Sequence, residues 1–193
     1  MKVQFLNSTD RAFPSHLQSR LGDEAPTQLS ALGNLDLLAL PKTALFCSAR
    51  CPGKVILTTY DQASRWRDAG RCVISGFHSP VEKECLKILL RGDTPVILCP
   101  ARGLLDRLPA PWAIAVACGR MLILSCFSKT DRRVTAGLAA RRNEFVAALA
   151  DEVFIPHATA GGHLEKLIPR LRTWRIPVHS SQPQPSYQPS TFN

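Results

Sequence analysis

The chain has 193 residues, 45% of them hydrophobic, enough to fill the core of one domain but not comfortably of two. Its 24 Lys and Arg against 15 Asp and Glu leave a formal charge of +9. That charge suits either a polyanionic partner or a merely solubilised surface. The excess is mostly Arg, whose fork fits phosphate, and this favours nucleic acid or nucleotide. No uninterrupted apolar run approaches the roughly 18 residues of a membrane span, and residues 1–10 carry no apolar stretch of the kind that secretory leaders need.

Residues 1–42 contain Pro14, Pro26, Pro41, Gly22, Gly33 and short apolar patches, and read as an N-terminal extension packed on the main domain. From residue 43 onward short apolar runs alternate with helical patterns. Strands are predicted over 43–47, 71–76, 94–99, 120–126, 152–157 and 176–180, each bounded by Gly, Pro or charge, as strands buried on both faces should be. Helices are predicted over 54–69, 80–91, 110–118, 135–150 and 162–174. Such alternation implies right-handed parallel crossovers. The expected fold over 43–180 is a single α/β Rossmann-like domain, a doubly wound and mainly parallel sheet with helices on both faces, binding its ligand at the carboxyl ends of the strands. The tail 181–193, SQPQPSYQPSTFN, is too poor in apolar residues to offset its ordering entropy and is expected to be disordered.

Seven cysteines is an odd count. Cys72, Cys85, Cys99 and Cys126 lie within apolar runs and read as buried free thiols in a reducing cytoplasm. Cys47 and Cys51 lack a second Cys/His pair, so no zinc or other metal site is expected.

The predicted strand ends carry the candidate chemistry. The first runs into Ser48-Ala49-Arg50 and Gly53, a small polar turn that offers backbone N–H groups to an anion. The second runs into Gly76-Phe77-His78-Ser79-Pro80-Val81-Glu82. Ser79, Pro80 and Glu82 have the spacing of a helix capping box, a purely structural reading. The same residues, with His78, also fit a carboxylate and an imidazole that position water or exchange a proton. Glu84 belongs on another face of that helix. Arg102 before Gly103 suits a phosphate. A basic run, Lys129 to Arg133 and then Arg141-Arg142-Asn143, is either a solvated face or the footprint of a polyanion. Gly161-Gly162-His163 leads into a helix and makes a second anion-binding turn. Neither a full G-x-G-x-x-G nor a Walker pattern is present, so no nicotinamide, P-loop nucleotide or other cofactor is expected.

These residues, in order, resemble the DprA/Smf family of DNA-processing proteins. Gly33-Asn34-Leu35-Asp36-Leu37-Leu38 with Pro41 is similar to its GN..LL..P stretch, and Cys47-Ser48-Ala49-Arg50 to its GSR strand end. Ser75-Gly76-Phe77 sits where the family has SG-L-A-x-G-I-D, which puts Glu82 at the Asp position. Arg142-Asn143 resembles the RNR segment with Glu144 in place of the second Arg, and Gly161-Gly162-His163-Leu164 lies at SGSL. The resemblance spans about residues 11–180. It implies an extended Rossmann domain that binds single-stranded DNA. The wider superfamily includes LOG-type hydrolases of N-glycosidic bonds, and Glu165, at shorter spacing, invites comparison with their glutamate.

Of the departures from the family, Pro80, Lys83, Glu84 and Glu144, the two glutamates add carboxylates where like charges would repel phosphate. They shift the expectation toward an enzyme. The leading expectation is a DNA glycosylase-like hydrolase, in repair or anti-phage defence, that removes a nucleobase, a modified one included. Its catalytic residues are Glu82, His78 and Ser79, and its phosphate-binding residues are Ser48, Arg50, Gly76, Arg102, Arg142, Asn143, Gly161, Gly162 and His163. DNA, single-stranded or with an extruded base, is the expected partner, and Phe77 or Trp112 could stack on that base. A homodimer is compatible with this reading. The first alternative is a non-catalytic single-strand-binding or loading protein of the DprA type. The second is a nucleoside monophosphate phosphoribohydrolase.

Overall fold

The computed structural model describes residues 2–180, and the tail expected to be disordered lies outside them. Along the central strands, side chains alternate between two cores, as period-2 geometry demands of a sheet covered on both sides. In β3 (Lys42–Leu45), β4 (Cys72–Ser75), β5 (Val96–Leu98) and β6 (Met121–Ser125), residues Ala44, Ile74, Ile97 and Leu122 enter one core. Leu45, Val73, Val96 and Ile123 enter the other. The first core is closed by α1 (His16–Leu21), α5 (Ala136–Leu149) and α6 (His163–Thr173), through Leu17, Phe145, Leu149, Leu167 and Leu171. The second is closed by α2 (Gly53–Asp68), α3 (Pro80–Leu90) and α4 (Ala110–Ala117), through Trp66, Leu86, Leu89 and Val116.

The sheet has eight strands in the order β1-β2-β6-β5-β4-β3-β7-β8, with β1 (Gln4–Asn7), β2 (Gln28–Gly33), β7 (Glu152–Phe154) and β8 (Val178–His179) completing it. All pairs from β6 to β8 are parallel, whereas β1–β2 and β2–β6 are antiparallel. The chain leaves β3 through β4 and β5 to β6, then returns to the other side of β3 at β7. The direction of winding therefore reverses between β3 and β7, and a ligand-binding crevice is expected at the carboxyl ends of those two strands.

Sequence patterning names no strand before residue 43, yet two strands form there. β1 buries only Leu6, and β2 interrupts its apolar residues with Ser30, so neither shows a clear period. Gly33 explains part of the motif that follows. Its φ is +120°, and a Cβ there would lie 2.2 Å from the Met121 carbonyl oxygen, so only glycine lets β2 close on β6. Asn34 then accepts the Asp36 N–H at 3.0 Å, capping the 3-10 turn Leu35–Ala39, and donates to the Gly119 carbonyl at 2.9 Å.

Candidate functional site

Four loops at the carboxyl edge are tied in pairs. After β3, the Ser48 N–H donates to the His157 carbonyl at 3.1 Å, and the Ser48 hydroxyl accepts the Thr159 N–H at 2.9 Å. The turn carrying Arg50 and the turn carrying Gly161 and Gly162 are thus held together across the point where the winding reverses. On the other side, the Gly103 N–H donates to the Asp131 carbonyl at 3.0 Å, and the Ser125 hydroxyl donates to the Arg102 carbonyl at 2.7 Å. This joins the loops after β5 and β6 and groups Arg102 with Lys129 and Arg132 around one depression, away from the Gly161 turn.

The loop after β4 lies between these pairs. Ser79 and Glu82 form the capping box of α3, with the Ser79 hydroxyl accepting the Glu82 N–H at 3.3 Å. Glu82 does more than cap. One carboxylate oxygen accepts the Cys47 N–H at 2.8 Å, and the other accepts the N–H of His78 at 2.8 Å and of Ser79 at 3.2 Å. A buried carboxylate with three backbone donors is a structural anchor between the ends of β3 and β4. His78 meets it only through its backbone, and its imidazole is exposed. Burial raises the pKa of the neighbouring Cys47 thiol, with Cys51 and Glu82 adding to the effect, so Cys47 stays protonated.

Arg142 comes up from α5 beneath this loop. It is 5% exposed, its Nη1 donates to the Cys99 carbonyl at 3.3 Å, and its Nε donates to Asn143 at 2.8 Å. Burial pulls the guanidinium pKa down, while Glu82 opposes that shift without coming within ion-pair distance. Gly76 lies directly on the guanidinium. A buried cation with no carboxylate in contact among the described residues is a strong local source of positive potential.

The carboxylates that had suggested catalysis have other partners. Glu84 pairs with Lys87 at 2.7 Å. Glu144 pairs with Arg170 at 2.7 Å, and Arg170 reaches Glu24 at 2.8 Å, so the acid at this position ties α5 to α6 and to the N-terminal segment. Glu165 accepts the Gly161 N–H at 2.6 Å and closes the Gly-rich turn on itself. Arg50, Arg132, Arg133 and His163 are exposed at the carboxyl ends.

One device at this edge escaped the sequence reading. The Phe77 N–H donates to the Ser75 hydroxyl at 3.0 Å, and the Phe127 N–H donates to the Ser125 hydroxyl at 3.1 Å. The same Ser-x-Phe turn ends β4 and β6, and its repeated spacing was a legible signal. Both phenylalanines are buried, and Phe77 holds a φ of +45°, so neither offers a face to a base. Arg141 lies 5.7 Å over the Phe127 ring.

Fold and site together define an extended Rossmann-type domain with a basic carboxyl edge whose acidic groups are spent on structure. The sequence model of the DNA recombination-mediator protein A family matches residues 4–165, and the chain belongs to that family. Its fold is similar to that of DNA processing protein A (DprA) from Streptococcus pneumoniae, with a TM-score of 0.77 at 20% identity over 96% of this chain. The match covers 65% of the pneumococcal protein. It is also similar to DNA processing protein A from Helicobacter pylori, whose structure concerns a single-stranded DNA binding mode, with a TM-score of 0.73 at 22% identity over 96% of this chain and 83% of that one. No curated protein matches the sequence significantly. The family overturns the expectation of an N-glycosidic hydrolase, because it consists of recombination mediators. The physical reason agrees: Glu82, the carboxylate on which hydrolysis rested, has both oxygens committed to backbone N–H groups.

Proposed function

We propose that the carboxyl edge of the sheet binds single-stranded DNA without chemistry, as a recombination mediator would. The phosphates lie across the turns at Ser48–Arg50 and Gly76–Ser79, above the buried charge of Arg142. Exposed Arg50, Arg132 and Arg133 form the rim. Arg142 is the observation that carries this reading: a guanidinium taken out of water beneath the ends of β4 and β5, with no carboxylate in contact among the described residues, favours an anion overhead. Family membership and the single-strand binding of the Helicobacter relative support it. Asn143 holds the Arg142 side chain, while Gly161, Gly162 and His163 border the same crevice.

The test is fluorescence anisotropy of a labelled oligothymidylate titrated with the full chain at several salt concentrations. Affinity should fall with salt, with log K changing against log[salt] by about −0.7 for each phosphate neutralised. The oligonucleotide should be recovered intact, with every base in place. Absence of binding at low salt, or affinity indifferent to salt, overturns the proposal.

A further inference from the structure

The face of β1 and β2 toward α1 is filled by Leu6, Leu29 and Ala31, all buried. The opposite face buries Leu32 in the second core but is open along β1. Phe5, directly across from Ser30 in the ladder, is 58% exposed, and Val3 is 38% exposed. A cavity of about 270 Å³ lies on this face, between Val3, Phe5 and Leu32 on one side and Leu104, Leu105 and Lys129 on the other. Through Leu104, Leu105, Asp106 and Lys129 it runs into the depression of about 150 Å³ that holds Arg102 and Arg132. Through Val3, Phe5 and Leu32 it continues into a shallow trough that reaches Lys2 and Gly119. The three depressions share walls and follow one another as a track along this face: arginines at the carboxyl edge, a lysine, an exposed aromatic ring on the sheet, and a second lysine.

We propose that this track is the continuation of the single-stranded DNA path, with a base stacked on Phe5 and the flanking phosphates near Lys129 and Lys2. The inference rests on the reading of the carboxyl edge as the single-strand site, from which the track starts. Aromatic rings interleaved with cations are what a flexible polyanion with flat apolar bases requires, since every base presents a π face. Asp106, in the groove wall, lies 3.7 Å from Lys129, and Asp131, in the adjoining depression, accepts the Ser128 N–H at 3.1 Å, while Arg102, Arg132, Lys129 and Lys2 leave the track with more cations than carboxylates. A second copy of the chain is a poorer occupant, because each copy carries a formal charge of +9 and the track is basic at both ends.

The experiment compares the intact protein with Phe5→Ala and Phe5→Trp on oligothymidylates of two lengths, one of about 6 nucleotides and one longer than about 16. The short strand fills only the carboxyl edge, and the long strand can reach the sheet. Phe5 is exposed, so its removal should leave the thermal melt unchanged. Phe5→Ala should weaken the long strand by about 5- to 100-fold and leave the short strand unchanged, and Phe5→Trp should restore the loss. Equal affinity of Phe5→Ala and wild type for the long strand overturns the track while leaving the carboxyl-edge site standing. If wild-type protein binds neither strand, the parent reading and the track fall together. If Phe5→Ala leaves DNA binding intact but converts a dimer to a monomer in sedimentation, the groove is a self-interface and the track is overturned.

Discussion

A Cβ on Gly76 would lie 1.4 Å from Nη1 of Arg142 and 1.9 Å from its Cζ. The glycine is the space in which the buried guanidinium sits. This gives the Ser-Gly pair after β4 a physical meaning that its φ does not supply, because the requirement is close approach to Arg142 rather than left-handed backbone. Gly76→Ala should push the guanidinium off the Cys99 carbonyl. We expect a stability loss of about 1–2 kcal/mol in urea denaturation and a roughly tenfold loss in single-strand affinity. The two sites should be non-additive: in an Arg142→Ala background, Gly76→Ala should cost little more.

Glu82 is expected to matter for folding and not for turnover. Its carboxylate satisfies the N–H groups of Cys47, His78 and Ser79 in a site 5% exposed. Glu82→Ala leaves those donors without their acceptor, and the cost should be about 2–3 kcal/mol. Glu82→Gln keeps one acceptor and should cost less. The readout is the urea midpoint at constant slope. DNA affinity, corrected for the folded fraction, should change far less than stability does.

How much of this was legible in the sequence depends on where each residue finds its partner. β3 to β6 follow from apolar runs buried on both faces, and the helices from capping signals such as Ser79-Pro80-Val81-Glu82, whose contacts are local. β1 and β2 were not legible, because β1 buries only Leu6 and β2 breaks its apolar residues with Ser30, so neither marks a clear period. At the site, the basic residues and Gly-rich turns could be read from spacing. The carboxylates could not. The partner of Glu144 is Arg170 on another helix, and one partner of Glu82 is the Cys47 N–H across the sheet. Without those long-range contacts, acids near loops that read as phosphate-binding looked like catalysts.

The exposed arginines should act on affinity through phosphate alone. Arg50, at the end of β3, and Arg132, beside Lys129, make no ion pair or side-chain hydrogen bond among the described residues, so neither contributes to the fold. Arg50→Ala and Arg132→Ala should leave the melt unchanged, weaken binding about equally for all sequences, and each reduce the salt slope by about 0.7. A variant that lowers affinity without altering the slope would have acted by some route other than phosphate contact.

Glu165 holds the Gly161 N–H at 2.6 Å, at the turn where an incoming phosphate would seek the same donor. The carboxylate therefore competes with the ligand both for a hydrogen bond and through its charge. Glu165→Gln keeps an acceptor for the turn and removes the charge. We expect single-strand affinity to rise by about two- to fivefold at low salt, with the gain shrinking as salt screens the site. A small loss of helix stability, visible as a slightly lower Tm, should accompany it.

Far from the crevice, His16 at the start of α1 should impose a pH dependence on stability. Its Nε2 is buried without a hydrogen-bond partner among the described residues. Burial lowers its pKa below the usual 6.5, Arg20 and Lys42 lower it further, and Asp151 and the Leu149 carbonyl oppose them. Below pH 6.5 the unfolded chain therefore takes up a proton that the folded chain resists. The contribution of neutral His16 is complete above that pH and is lost as pH falls toward the depressed folded value. Melts between about pH 7.5 and pH 5.5 should show Tm falling with acidity. His16→Phe, which fills the site without a titrating group, should flatten that slope. Glu152 is depressed as well: burial raises its pKa, but the Thr43 hydroxyl, Arg71 and His179 outweigh it. Its window lies below 4.5, so the two groups separate along the pH axis, and any slope that survives in His16→Phe between about pH 7.5 and pH 5.5 belongs to neither.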